Sequence, residues 1–189
     1  MALKATIFKA DLQIADMDRH HYGDHTLTLA RHPSETDERM MMRLLAFALH
    51  AHEALSFGKG LSTDDEPDLW QKDLTGAIDL WIEVGQPDER RILKACGRAA
   101  QVLVYSYSST SPIWWGQTAA KVERAKNLSV LNLPPAASLA LAKLAQRTMQ
   151  LQCTIQDGQI WMTGGDQTVQ LDLAVLKKSS SVHILSFAR

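Results

Sequence analysis

The sequence predicts an α/β protein in which helices pack on a mixed sheet and β-hairpins or a meander frame both ends of the chain. Between residues 34 and 147, apolar residues alternate between helical spacing and the spacing of buried strands. Outside that range, apolar and polar residues alternate in segments that turn signals separate. We therefore expect one domain over 1–189, with 34–147 as its core, 1–31 and 148–176 as flanking β elements, and 177–181 as a mobile segment.

The amino-terminal part is predicted to form a hairpin and then a helix. Residues 3–15 alternate as a half-buried strand does, and residues 25–31 alternate as its antiparallel partner. Pro33-Ser34 then opens a helix that runs to about residue 52, because apolar residues recur there at helical spacing. Ser34 with Asp37 resembles a capping box, which supports this start.

The polar segment between these two strands carries three histidines. His20, His21 and His25 lie around Tyr22-Gly23 without the regular spacing of metal ligands. We interpret the segment as a solvated loop.

Further strands and helices alternate along the core region. In chain order we predict a strand at 53–61, a strand at 77–85, a helix at 89–100, a strand at 101–107, a helix at 111–124, a strand at 127–133 and a helix from 135 to about 147. Asp157-Gly158 and Gly164-Gly165 are strong turn signals. They separate strands predicted at 148–156, 159–163 and 168–176, which is typical of a β-meander.

Composition restricts the class of function. Lys and Arg number 20, Asp and Glu number 21, and the formal net charge is -1. This balance excludes a strongly basic nucleic-acid coat and an acidic disordered tail. No apolar run approaches the roughly 18 residues that a membrane helix needs, and the first residues do not form the apolar centre of a signal peptide. We expect a cytoplasmic protein with no membrane partner.

The predicted strand at 77–85 carries the acidic residues around which a chemical site could form. Alternation places four apolar residues on one face, which we expect in the core: Ile78, Leu80, Ile82 and Val84. The other face carries Asp79, Trp81 and Glu83, which we expect to face a concave surface. An ordinary solvent-exposed strand face is the alternative.

On a flat strand Asp79 and Glu83 are too far apart to share one metal ion, unless a bulge or a strong twist shortens the gap. Four residues span roughly 13 Å at about 3.3 Å per residue, whereas each oxygen ligand must approach a cation to about 2.0–2.6 Å. Asp68 and Asp73 are nearby alternatives as the partner of Glu83. The sequence leaves the choice among Asp68, Asp73 and Asp79 open.

A short basic ridge follows on the helix predicted after Asp88. Arg90 and Lys94 are four residues apart and Arg91 and Lys94 three apart, so these side chains lie close together. Beside carboxylates, such a ridge could contact phosphate groups, a combination that suits phosphoryl chemistry. A solvated helix face is the alternative.

Several segments together resemble the YaeQ family of small bacterial proteins, and the resemblance covers nearly the whole chain. They are Met1-Ala-Leu-Lys-Ala-Thr-Ile-Phe-Lys-Ala10, Leu29-Ala-Arg-His-Pro-Ser-Glu-Thr36, Leu61-Ser-Thr-Asp-Asp-Glu-Pro67, Ile78-Asp-Leu-Trp-Ile-Glu-Val-Gly-Gln-Pro-Asp-Glu-Arg-Arg91, Ile113-Trp-Trp115 and Thr154-Ile-Gln-Asp-Gly158. The resemblance implies a variant of the PD-(D/E)xK nuclease fold.

The resemblance also implies positions for the nuclease motif. Glu83-Val84-Gly85 stands where that superfamily has (D/E)-x-K, Pro67-Asp68 corresponds to its Pro-Asp element, and Glu38 could be the acid of the first helix. Gly85 occupies the lysine position, so the usual basic group is missing from the strand. Lys94 could replace it from the following helix, and we then expect its Nζ within reach of the Glu83 carboxylate.

Two functions follow as expectations. One is a Mg²⁺- or Mn²⁺-dependent nuclease. Its cation would be held by Asp68, Asp79 and Glu83, its catalytic groups would be Asp79, Glu83, Lys94 and Glu38, and its phosphate contacts would be Arg90, Arg91 and Lys94. The other is a regulatory protein that binds nucleic acid or protein on the same frame without turnover. The retained acids favour the first function, and the near-neutral net charge favours the second.

Overall fold

The computed structural model describes residues 3–59 and 63–180, which form two sheets and four helices. The strands are β1 (Thr6–Asp16), β2 (His21–Arg31), β3 (Leu55–Phe57), β4 (Leu69–Lys72), β5 (Ile78–Val84), β6 (Ala99–Tyr107), β7 (Leu128–Leu133), β8 (Thr148–Gln156), β9 (Gln159–Gly164), β10 (Gln167–Gln170) and β11 (Ala174–Lys177). The helices are α1 (Asp37–His50), α2 (Glu89–Cys96), α3 (Ser111–Val122) and α4 (Pro135–Ala142). The predicted α/β class is confirmed. Within the described ranges, every helix is too short or too polar to cross a membrane.

The first sheet joins the two ends of the chain. Its strand order is β10-β9-β8-β1-β2, and all neighbours are antiparallel except β1 and β8, which run parallel with Lys9 opposite Thr148. The sequence predicts flanking β elements at the two ends. The structure merges them into one sheet, because the apolar faces of both can then cover the same core.

The second sheet has the order β11-β7-β6-β5-β4-β3 and carries the residues of the candidate site. Its central strands β5, β6 and β7 are parallel, and α2 and α3 form the crossovers between them. The strand predicted at 53–61 is only β3, and residues 60 and 61 lie outside the described part. The strand predicted at 168–176 divides into β10 and β11, which belong to different sheets.

Helix α1 belongs to a core that both sheets share. All residues from Met40 to His50 are buried, because this stretch is apolar on all sides except at Arg43 and His50, which have buried partners. The helix starts at Asp37, because the Thr36 hydroxyl accepts a hydrogen bond from the Arg39 amide at 3.1 Å and so supplies the N-cap. The start predicted at Ser34 is therefore wrong by one turn.

Both faces of β5 are covered. Leu80, Ile82 and Val84 lie in the core shared with α1, as predicted. Trp81 is only 2% exposed, because α2 and α3 cover its face of the sheet, so the prediction that it faces a concave surface is wrong. Ile78 is half-buried and packs on the Trp81 side, next to a register shift in the β4–β5 pairing.

Two other expectations also need correction. His21 and His25 lie in β2 rather than in a loop, because pairing with β1 extends to Asp16 opposite His21. Residues 177–180 are not a free segment, since Lys177 Nζ donates to Ala125 O at 2.8 Å and the Ser180 amide donates to Lys126 O at 2.9 Å. Residue 181 lies outside the described residues.

We expect His50 to make the free energy of unfolding decrease in mild acid. Its buried imidazole lies 2.5 Å from the Tyr105 hydroxyl, and burial lowers its pKa from 6.5 to about 3. Between these values the unfolded chain binds a proton that the folded chain does not. The loss is therefore about 1.4 kcal/mol per pH unit as the pH falls below about 6.5.

Urea denaturation near pH 7 and about pH 5 checks this expectation. The His50→Gln variant keeps a hydrogen-bonding side chain beside Tyr105 and should lose that part of the pH dependence. Equal slopes in the native protein and the variant would show that His50 does not carry the effect.

Candidate active site

A cavity of about 440 Å³ opens beyond the carboxyl end of β5, where the chain leaves the sheet toward α2. Carboxyl ends of parallel strands are the usual place for ligand sites in α/β proteins. The residues that give the cavity its chemical character are Arg39, Asp68, Glu83, Gln86, Arg91 and Tyr107.

Asp68 and Glu83 lie opposite each other on antiparallel neighbours. Leu69 pairs with Ile82, so the residue before β4 faces the residue after Ile82. The Asp68 amide donates to Ile82 O at 3.1 Å, and the Val84 amide donates to Asp68 Oδ2 at 2.8 Å. Side chains at opposite positions of such a pair start about 4.5–5.5 Å apart at Cβ. The structure therefore brings Asp68 to Glu83.

The other two candidate partners lie elsewhere. Asp73 shapes the turn between β4 and β5, where its Oδ1 accepts hydrogen bonds from Thr75 and from the Ala77 amide. Asp79 is exposed near the start of β5 and does not line the cavity. The prediction that Asp79 shares a concave site with Glu83 is wrong, for the reason the strand spacing already gave.

Glu83 is a buried acid with one carboxylate oxygen engaged. Its Oε1 accepts from Trp81 Nε1 at 2.8 Å and from Arg91 Nε at 2.9 Å, whereas no described residue donates to Oε2. Burial raises the pKa of Glu83, repulsion from Asp68 raises it further, and the hydrogen bonds from Arg91 and Trp81 oppose the increase. Because Asp68 and Glu83 are close together in one cavity, ionising both carboxyl groups costs free energy, and a positive charge beside them reduces that cost.

Arg39 is a charged residue of this site that the sequence did not indicate. Its Nη2 donates to Asp68 Oδ1 at 2.7 Å and to Val84 O at 3.2 Å. Its Nη1 donates to Glu35 Oε2 at 2.6 Å, and Glu35 is buried and also pairs with Arg43. The available signal was an arginine beside the otherwise apolar run of α1, which indicates a buried charge with a partner.

The basic ridge of α2 binds an acidic loop of the same chain. Arg91 donates to Asp64 O and Glu66 O at 3.0 and 2.9 Å, and Lys94 Nζ lies 3.0 Å from Asp65 Oδ1. Arg98 donates to Asp65 O at 3.0 Å. The loop residues thus occupy the part of the ridge that was predicted to contact phosphate.

The prediction that Lys94 reaches Glu83 is wrong. Among the described residues Lys94 pairs with Asp65, and Arg91, in the first turn of α2, takes the place beside Glu83. Lys94 lies one turn further from the strand end, a displacement of about 4.5 Å along the helix. Arg90 is exposed and does not line the cavity, and Glu38 accepts a hydrogen bond from Ser138 Oγ at 2.7 Å instead of lining it.

The backbone explains why no lysine stands at Gly85. Gly85 has a φ of 111°, a region that residues with a side chain rarely adopt. This conformation turns the chain directly from β5 to the Asp88 cap of α2, whose Oδ1 accepts from the Arg91 amide at 2.8 Å. Gln86 follows on the wall of the cavity, and its Nε2 donates to Thr110 Oγ1 at 2.8 Å.

The donor set would suit a Mg²⁺-type cation only if water or a substrate supplied most of its ligands. Within residues 3–59 and 63–180 there is no cluster of three His, Cys, Asp or Glu side chains suited to a metal. Mg²⁺ commonly binds through only one or two carboxylates together with waters and substrate phosphate oxygens. The protein ligands would be Asp68, whose two oxygens also accept from Arg39 and Val84, and the unengaged Oε2 of Glu83, and a bound cation would oppose the increase in the pKa of Glu83.

The fold and the site together define a mixed α/β protein with two neighbouring acids at the carboxyl end of a central strand, each of them bonded to an arginine. Comparison with known sequences identifies its relatives, since the model of the YaeQ protein family matches residues 1–173. The chain belongs to the YaeQ family.

Individual relatives agree with this assignment. The uncharacterised YaeQ proteins of Escherichia coli (strain K12) and Shigella flexneri are each 49% identical over 181 residues, which are 95% of this chain and 100% of theirs. The crystal structure of the YaeQ protein from Xanthomonas axonopodis pv. citri is 50% identical with a TM-score of 0.88, covering 92% of this chain and 98% of that one. The crystal structure of the YaeQ protein from Pseudomonas syringae is 36% identical with a TM-score of 0.89, covering 93% and 97%.

Proposed function

We propose that this protein hydrolyses phosphodiester bonds of nucleic acid with Mg²⁺ or Mn²⁺ in the cavity that holds Asp68 and Glu83. The observation that carries the proposal is the placement of Asp68, directly before β4, opposite Glu83 on β5, with each acid bonded to an arginine. In the PD-(D/E)xK pattern that the sequence resembles, Asp68 and Glu83 would be the Pro-Asp and Glu residues. We also propose a cytoplasmic location, where nucleic acids are accessible.

The two arginines supply positive charge at the cavity. A guanidinium has five N–H groups. Within the described residues, Arg39 and Arg91 each make three hydrogen bonds, which leaves two N–H groups on each for phosphate oxygens. Because Arg91 also holds the loop at Asp64 and Glu66, a nucleic-acid backbone that enters here would compete with that loop.

The bound cation would polarise the phosphate and lower the pKa of a water molecule. The chain's own contribution is to hold the two carboxylates in place through Val84, Trp81 and the arginines. A lysine on the strand is missing, so part of the electrostatic stabilisation of the transition state must come from Arg39 and Arg91. We therefore expect slow cleavage.

A non-catalytic role in binding nucleic acid or a protein is the second candidate. It is favoured by one specific observation, the engagement of both acids by arginines, which gives the site neutral ion pairs without any metal. Such a protein would bind its partner at the cavity and show no turnover.

The deciding experiment incubates the purified protein with single- and double-stranded DNA and RNA, with Mg²⁺, with Mn²⁺ or with excess EDTA. Cleavage should require the cation and should be lost in Asp68→Asn, because one of the two acids then lacks its charge. Asp73→Asn, which changes an acid outside the cavity, is the matched control and should cleave normally.

Calorimetric titration with Mg²⁺ and Mn²⁺ complements the assay. We expect weak binding by the native protein that Glu83→Ala removes. Cleavage that persists in EDTA or in Asp68→Asn would contradict the proposal, since it would come from another nuclease. Binding of nucleic acid without any cleavage would favour the second candidate.

A further inference from the structure

A pair of histidines on β2 forms a second cluster that the nuclease proposal does not use. His21, Gly23 and His25 alternate along the strand, so all three lie on its inward face. The two imidazoles are half-buried near the end of α1. There the rings of His25 and Phe47 pack edge to face, with their centroids 5.4 Å apart.

The two rings fold toward each other over the glycine between them. Their Nε2 atoms are 3.3 Å apart, and the rings are stacked with centroids 5.5 Å apart and planes 18° apart. A Cβ at Gly23 would lie 3.4 Å from His25 Nε2 and 3.8 Å from His21 Nε2. The absence of a side chain at Gly23 therefore keeps the space beside both nitrogens free.

We propose that His21 and His25 bind a divalent transition-metal ion of the Zn²⁺ type through their Nε2 atoms. Zn–N bonds are about 2.0–2.1 Å long, so two nitrogens on one tetrahedral ion lie about 3.3–3.4 Å apart. The observed separation of 3.3 Å matches that value. Imidazole is a ligand that Zn²⁺ prefers and Mg²⁺ does not, so this site is distinct from the acid pair.

The surroundings of His21 include one cation and one acid that pair with each other, Arg19 and Asp16. Both oxygens of Asp16 accept hydrogen bonds from Arg19, one from its amide at 3.0 Å and one from its Nε at 2.6 Å. Since no described cluster offers three such side chains, the ion would have two protein ligands and complete its shell with water.

The competing explanation is a direct hydrogen bond in which one neutral imidazole donates its Nε2–H to the other. That explanation predicts no response to metal. The two explanations therefore differ in a single measurable property of the intact chain.

The test is a titration of the full-length protein with Zn²⁺ alone, followed by calorimetry and by thermal unfolding. Zn²⁺ should raise the Tm of the native protein, because an ion that binds only the folded state stabilises it. His21→Ala should weaken Zn²⁺ binding at least tenfold. Gly23→Ala keeps both histidines but places a methyl group against their Nε2 atoms, and it should weaken binding as well.

His32→Ala is the control for binding by other histidines, because His32 lies outside the pair and its Nδ1 is bonded to Ser34. This variant should respond to Zn²⁺ as the native protein does. A Zn²⁺ response that persists in His21→Ala, or no response in the native protein, would overturn the proposal. Circular dichroism of each variant without metal shows whether a lost response reflects a lost fold instead.

Discussion

Replacing Glu83 with glutamine should reduce cation-dependent cleavage by at least about 100-fold while leaving the folded protein as stable as before or more stable. Glutamine keeps the size of the side chain and can still accept from Trp81 and Arg91, but it removes the negative charge that a cation needs. Burial raises the pKa of Glu83, so its ionisation costs folding free energy near neutral pH. Cleavage assays and urea denaturation of the same preparation measure the two effects.

The matched control is Asp79→Asn, which removes an exposed carboxylate from the same strand. It should change neither cleavage nor stability by much. A purely structural role for Glu83 gives the opposite result, a stability loss in Glu83→Gln and no specific change in cation dependence. That outcome would remove Glu83 from the proposed site.

Replacing Glu35 with glutamine should cost about 3–5 kcal/mol in the free energy of unfolding, because it leaves buried guanidinium charge without its counter-charge. Glu35 accepts from Arg43 Nη2 and Nε at 2.6 and 2.9 Å and from Arg39 Nη1 at 2.6 Å. The Glu35 and Arg43 side chains are only 2% and 6% exposed. Urea denaturation near neutral pH measures the loss.

Asp37→Asn is the comparison for Glu35→Gln. Asp37 pairs with Arg31 at the surface, where 47% of its side chain is exposed, and such pairs contribute under about 1 kcal/mol. A loss of similar size in both variants would show that the buried Glu35 network contributes no more to the free energy of unfolding than a surface ion pair does.

The alternation of strands and helices could be predicted from the sequence because local spacing determines it. The arrangement in two sheets could not, since the pairing of β1 with β8 depends on contacts between distant segments. The sequence did not predict β4, because it follows an acidic stretch and its four residues are too few to show a periodic pattern. For the same reason the sequence suggested Asp68 as a partner of Glu83 but could not choose it over Asp73.

The errors at the site have a common physical cause, which is the packing of α2 on β5. The sequence placed Arg91 and Lys94 on one helix but did not give the rotation of that helix against the sheet. Arg91 therefore reaches Glu83 and Lys94 reaches Asp65. The positive φ at Gly85 likewise depends on the position of the Asp88 cap, which a residue pattern on one strand does not contain.

The parallel pairing of β1 with β8 also determines when the protein can finish folding during its synthesis. Partners such as Lys9 and Thr148 are 139 residues apart, so the amino-terminal hairpin leaves the ribosome long before its neighbour exists. At about 5–20 residues per second, the delay is about 7–28 s. During that interval the edge of β1 and the apolar face of the hairpin stay uncovered, which makes the nascent chain a candidate for chaperone binding.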